Sequence, residues 1–205
     1  MIGKWNKSVI VTYVGMLLAV AAMILFMEDK MSYGMMCFMA AGICDMFDGT
    51  IARMCKRTDE EKNFGIQLDS LADVIDFIAV PVVLVTKVCG IQWYSVASCA
   101  LYSVFGIARL AYFNVCQEEN EDKDSPIKYY IGLPVTYAAL IFSVSYLAVL
   151  WFDMEVTGYI QSGVMALTAV LYILKIKVIK PGKIGYIFFL LLAIFMFVLY
   201  FALRR

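Results

Sequence analysis

Two closely spaced pairs of aspartates sit in apolar surroundings: Asp45 and Asp48 in GICDMFDGT, and Asp69 and Asp73 in IQLDSLADV, with Asp76 just behind. A carboxylate placed at the centre of a bilayer costs at least about 2.5–3.5 kcal/mol, even on the lenient insertion scale. Five in one short region imply a shared purpose. Spacings of three and four put the members of each pair on one helix face. Two such faces brought together make a cage of oxygen ligands, and bound cations relieve the repulsion among four carboxylates. The chain has no histidine, and no cysteine pair joins the cluster. The ligands are therefore hard oxygens, which favours Mg2+, Mn2+ or Ca2+ over zinc or copper. Gly49 follows Asp48 and Ala52 lies one turn on, so a bulky ligand can approach the backbone there. Arg53 offers a planar fork of donors to a phosphate oxygen. Metal ions beside an arginine are the equipment of phosphoryl transfer. A proton or cation pathway is the rival class, because transporters also place acids between helices.

The elements that must position these acids are membrane helices. Of the 205 residues, 63% are hydrophobic and only 17% charged, against about a quarter charged in a soluble domain. Apolar runs of bilayer length recur from end to end, and helices satisfy their own backbone groups in lipid. The expectation is an all-α integral membrane protein. It has about seven spans, near 8–26, 33–54, 67–88, 92–114, 131–152, 157–176 and 184–203. Residues 1–205 read as one membrane-embedded domain without an internal repeat. The breaks are EDK at 28–30, a charged loop at 55–66, CG at 89–90, EENEDKDSP at 118–126, DME at 153–155 and KPGK at 180–183. The run EENEDKD reads as a solvated loop. The first span is too long for a cleaved signal segment and reads as retained. The six cysteines lack a CxxC pair and read as packing residues.

Lys and Arg counted in alternate loops set the orientation. Twelve, from Lys4 to Lys183, fall on one side, and four (Lys30, Lys87, Arg204 and Arg205) on the other. This expectation puts the N-terminus in the cytoplasm. The second helix then descends to end near Arg53, and the third ascends from near Gln67. Both acid pairs thus lie at one depth, near the cytoplasmic surface. They cluster at one end instead of stringing across the bilayer, which weighs against a transport pathway.

Asp45, Asp48, Gly49, Ala52, Arg53, Gly65, Asp69 and Asp73 together resemble the signature of the CDP-alcohol phosphotransferases, D-x2-D-G-x2-A-R-x8-G-x3-D-x3-D. All eight fixed positions fit, although eleven residues, not eight, separate Arg53 from Gly65. FGIQLDSLAD (64–73), RLAYFN (109–114) and GLP (132–134) are similar to stretches of the family's phosphatidylserine synthase branch, FG-xx-LDSLAD, RLARFN and GLP. Tyr112 stands where that branch has arginine, and Asp76 where it usually has serine.

The resemblance implies a six-helix core plus one helix, and two Mg2+ or Mn2+ ions held by Asp45, Asp48, Asp69 and Asp73. It implies a nucleotide pocket lined by Asp48, Gly49, Ala52, Arg53 and Gly65, with Asp73 as general base. The implied reaction joins the phosphatidyl group of CDP-diacylglycerol to L-serine and releases CMP. Glycerol 3-phosphate or an inositol phosphate are the alternative acceptors. Arg109 and Asn114 are the candidate acceptor-binding residues. The implied setting is the cell membrane, with the site facing the cytoplasm and membrane lipids around it. A homodimer is expected; a nucleic-acid partner is not.

Overall fold

The computed structural model describes residue 3 and residues 6–121, 129–179 and 183–203. Helix α1 (Ile10–Met27) follows a short 3-10 turn and pairs with α2 (Met31–Met54). One stripe of α1, Gly15, Ala19, Ala22 and Phe26, is buried. Small residues on such a stripe let helix backbones approach closely. A Cβ at Gly34 of α2 would collide with the Phe26 ring, so that crossing requires glycine. The turn between them, with Asp29 at φ 61°, is held from outside by Lys87, whose Nζ lies 2.8 Å from Asp29.

The next rod runs from Asp59 to Cys89 in three parts: α3 (Asp59–Asp73), a π-helical segment (Val74–Ala79) and α4 (Val80–Cys89). It starts two turns earlier than the expected Gln67. Thr58 caps it, accepting from the Glu61 N–H while the Glu61 carboxylate accepts from the Thr58 N–H. This reciprocal capping box satisfies two otherwise orphaned donors. The TDEEK stretch is therefore a helix start and not the loop expected at 55–66.

The π segment has a local cause. Pro81 has no N–H to give to the carbonyl four residues before it, and its ring crowds that carbonyl. That carbonyl belongs to Phe77, and it accepts instead from the Tyr102 hydroxyl at 2.6 Å. A widened turn at such a point is the usual form of a π-bulge.

Helices α5 (Trp93–Glu121), α6 (Ala138–Tyr146, flanked by 3-10 turns), α7 (Met154–Ile173) and α8 (Lys183–Leu203) complete seven rods among the described residues. Helix α5 runs past the expected end at Asn114 as far as Glu121; residues 122–128 of the acidic loop lie outside the described residues. So do Lys180, Pro181 and Gly182 of the KPGK break, and Lys4, Arg204 and Arg205 of the charge count. Asp153 caps α7, accepting from the Val156 N–H at 2.8 Å. The expected fifth span begins later than 131: β1 (Tyr129–Ile131) pairs antiparallel with β2 (Lys177–Ile179) before the chain turns into α6. The Tyr200 hydroxyl of α8 donates to the Ser143 carbonyl of α6 at 2.5 Å.

Lys7–Met27, Met31–Met54, Trp93–Cys116 and Met154–Ile173 are each long and apolar enough to cross a membrane, and Val135–Leu150 and Phe188–Leu203 are shorter apolar helices. Leu17, Leu101, Leu167 and Phe195 are exposed on the outside, as lipid-facing residues are. The chain is an all-α integral membrane protein, with one short strand pairing between its loops.

Candidate active site

Asp45 and Asp48 occupy the last turns of α2, and Asp69 and Asp73 the last turns of α3. The two helices bring them together. One oxygen each of Asp45, Asp48 and Asp69 lies within 4.8 Å of the others. Across the interface the acids face each other in pairs: Asp45 is within hydrogen-bonding reach of Asp73, and Asp48 of Asp69. Two ionised carboxylates do not rest at that distance unless a cation or a proton lies between them. An all-oxygen set of this kind fits a hard divalent cation.

A residue on α1 joins the cluster. The Thr12 hydroxyl donates to Asp48 Oδ2 at 3.0 Å in a buried contact. The sequence reading did not select it; its only signal is a hydroxyl on the otherwise apolar buried stripe of α1.

The acids form one end of a cavity of about 310 Å³. Gly49, Thr50 and Arg53 line the same end, and Arg109, Phe113 and Pro134 another side. The cavity continues along an apolar wall that includes Met39, Ile43, Leu140, Phe189 and Ala193, from α2, α6 and α8. A Cβ added at Gly49 would meet nothing within 4 Å, so the backbone there is open to a ligand. Arg53 is exposed, with its guanidinium 3.3 Å from the Thr50 hydroxyl.

Arg109 is buried, and its guanidinium lies 5.3 Å from the centre of the Phe113 ring, within cation–π range. Gly132 holds it from behind. With φ at +81°, Gly132 adopts a conformation that favours glycine, and a Cβ there would stand 3.0 Å from Arg109 Nε and 3.1 Å from the Tyr172 carbonyl oxygen. Its N–H donates to the Ile176 carbonyl at 2.7 Å, continuing the β1–β2 pairing. The GLP stretch is thus the seat of Arg109.

Three expected site residues lie off the cavity wall. Asn114 gives its side-chain amide to the Ser70 hydroxyl at 2.8 Å, tying α5 to α3. Gly65 lies one turn before Asp69 on α3, where a Cβ would stand 3.7 Å from the Arg57 guanidinium. Ala52 is half-buried beside Arg53. Asp76 is also off the cavity wall. It is only 3% exposed, its Oδ1 has no hydrogen-bond partner, and its Oδ2 would lie 3.4 Å from a Cβ on Gly15 of α1. It is close enough to the cluster to interact electrostatically with Asp45, Asp48, Asp69 and Asp73, although it does not line the cavity.

A family model for CDP-alcohol phosphatidyltransferases matches residues 5–174. The chain belongs to this family. The match takes in α1 to α7 and every residue of the acid cluster. Among curated relatives, the CDP-diacylglycerol–serine O-phosphatidyltransferase of Helicobacter pylori is 32% identical over 123 residues, 58% of this chain and 48% of the relative. The enzyme of that name from Saccharomyces cerevisiae is 33% identical over 113 residues, 53% of this chain and 40% of the relative. The archaetidylserine synthase of Methanothermobacter thermautotrophicus is 28% identical over 127 residues, 62% of this chain and 51% of the relative. The matched stretch spans about half the length of these relatives or less. The family is generally divalent-metal dependent, and the acid cluster is where this chain could hold such an ion.

Proposed function

We propose that residues 1–205 act as one membrane-embedded enzyme domain that transfers the phosphatidyl group of CDP-diacylglycerol to L-serine, giving phosphatidylserine and CMP. The observation that carries this reading is the pair of facing carboxylate couples, Asp45 with Asp73 and Asp48 with Asp69, lining a cavity that they share with an apolar wall. The polar end suits a pyrophosphate and the wall suits acyl chains.

Asp45, Asp48, Asp69 and Asp73 would hold two divalent ions, Mg2+ or Mn2+. When bound, the ions neutralise the diphosphate and stabilise charge on the departing nucleotide. Arg53, in the wall beside Gly49, reaches a phosphate oxygen. Asp73 takes the proton from the serine hydroxyl as that oxygen bonds to the phosphorus bearing diacylglycerol and the bond to CMP breaks. Arg109 pairs with the serine carboxylate or with a substrate phosphate. Asn114, bonded to Ser70, supports the α3 acids from α5. Gly49 leaves the backbone open to the nucleotide, and Ala52 and Gly65, off the cavity wall, belong to the proposed nucleotide side only through neighbouring Arg53 and Asp69. The Lys and Arg distribution favours a site facing the cytoplasm, where serine arrives, with the lipid entering from the bilayer. A homodimer belongs to the same proposal.

The names of the relatives support serine as acceptor. So does the cavity, where Arg53 and Arg109 are the basic residues among the described lining. An acceptor bearing its own phosphate calls for more cations. The test is CMP release from CDP-diacylglycerol by the purified protein with Mg2+ or Mn2+, comparing serine, glycerol 3-phosphate and an inositol phosphate. Serine-dependent CMP is expected. Release with glycerol 3-phosphate alone would change the acceptor, and no acceptor-dependent CMP at all would revive the cation-pathway reading.

A further inference from the structure

Thr12 departs from the habit of its residue type. A helical threonine commonly turns its hydroxyl back to the carbonyl four residues earlier, as Thr168 does toward Val164 at 2.7 Å. Thr12 instead gives its proton across the α1–α2 interface to Asp48 Oδ2 at 3.0 Å. Both partners are buried, Thr12 at 9% exposure and Asp48 at 7%. The helix crossing holds the donor in place. Thr12 shares the buried stripe of α1 with Gly15, and a Cβ at Gly15 would stand only 3.3 Å from the Cβ of Cys44, one turn before Asp48 on α2. The close approach at Gly15 therefore sets the distance at which the Thr12 hydroxyl meets Asp48.

We propose that Thr12 is a positioning residue that makes Asp48 a one-oxygen ligand and thereby sets which cation the cluster prefers. The inference rests on the reading of Asp48 as a metal ligand. With Oδ2 engaged by a buried hydroxyl, and with Asp69 and the Gly49 N–H also at the carboxylate, Asp48 is held in one rotation. Turning so that both oxygens face one cation equally would draw Oδ2 away from Thr12 and leave a buried hydroxyl short of its acceptor, which the fold resists. Ca2+ takes six to eight oxygens and often binds carboxylates through both; Mg2+ is octahedral and takes one oxygen from each. A clamped Asp48 therefore favours the smaller ion. Groups that orient a metal ligand in this way typically change metal affinity about 10–100-fold when removed.

The experiment is a binding titration of the purified full chain in detergent, without lipid substrate or serine. Mn2+ is followed by loss of the free-ion EPR signal, and Mg2+ and Ca2+ by competition, with CDP present and absent. Thr12→Val keeps the shape and removes the donor; Thr12→Ser keeps the donor and removes the methyl. The expected result is that Thr12→Val weakens Mn2+ and Mg2+ about 10–100-fold with a smaller loss for Ca2+, while Thr12→Ser binds as the parent chain does. An unchanged Mg2+-to-Ca2+ ratio in Thr12→Val would overturn the proposal. So would equal losses in both variants, because the methyl would then be what matters. If the parent chain itself binds no Mn2+ in either condition, the metal reading of the cluster fails first, and the two failures are told apart.

Discussion

Tyr102 stands in for a backbone donor: its hydroxyl reaches the Phe77 carbonyl at 2.6 Å, where Pro81 has no N–H to offer. The same hydroxyl lies 3.1 Å from that of Tyr172, so the π segment is tied to α5 and α7 together. Tyr102→Phe leaves a buried carbonyl unsatisfied and is expected to cost about 1–3 kcal/mol. In a Pro81→Ala background the restored N–H can serve Phe77, and the cost of Tyr102→Phe should shrink. Thermal unfolding in detergent of both singles and the double measures this. Fully additive losses would show that the proline does not create the need for Tyr102.

Gly132→Ala should be poorly tolerated. The added Cβ meets the Tyr172 carbonyl at 3.1 Å and Arg109 Nε at 3.0 Å, from a backbone with φ at +81°. Strain at such a position is of order 1–3 kcal/mol. Arg109 can shift where the Tyr172 backbone cannot, so the guanidinium moves. The KM for the acceptor should rise more than that for CDP-diacylglycerol. Equal effects on both would detach Arg109 from acceptor binding.

Asp73 and Asp76 are three residues apart and should behave in opposite ways. Asp73 lines the cavity, and Asp73→Asn is expected to lower turnover by about 10²–10⁴-fold, the usual worth of a general base, while nucleotide still binds. Asp76 faces α1 with one oxygen unpartnered. Asp76→Asn removes a buried charge and should keep turnover while raising stability by about 1–3 kcal/mol. Turnover and melting temperature of the two variants decide this. An inactive, well-folded Asp76→Asn would bring Asp76 into the reaction.

Chelation should destabilise the protein. Asp45 faces Asp73 and Asp48 faces Asp69, and a cation that binds the folded state at 100 times its Kd contributes about 2.7 kcal/mol. EDTA is expected to lower the melting temperature and excess Mg2+ to restore it. Asp45→Asn should melt higher than the parent chain in EDTA, because one facing pair loses its repulsion, and should gain less from Mg2+. A melting temperature indifferent to both reagents would argue against a resident cation.

Much of the site was legible in the sequence because its logic is local. The spacing of Asp45 to Asp48 and of Asp69 to Asp73 fixes their faces. The missing parts depend on partners distant in sequence. Nothing near Asn114 announces Ser70 as its acceptor, and nothing near Thr12 announces Asp48. The β1–β2 pairing joins residues almost fifty positions apart, with no alternating pattern to flag either strand. Two other features carry a sequence signal. Thr58 with Glu61 is a capping pattern, obscured because charge between spans suggests a loop. Pro81, four residues after Phe77 and in the interior of the expected 67–88 span, marks the bulge.

The capped start of α3 explains how the spacer between Arg53 and Gly65 can hold eleven residues where the resembled pattern has eight. Its first turns, from Asp59 to Asn63, project beyond the apolar part of the rod. Three more residues are nearly one helical turn of about 3.6, and here they lengthen a free end. The stripe of Gly65, Asp69 and Asp73 keeps its bearing toward α2. The same three residues placed between Gly65 and Asp69 would swing the acids by about 300° relative to that glycine. Length can therefore drift on the aqueous side of Gly65, while every later position is held to register by the rotation of the helix.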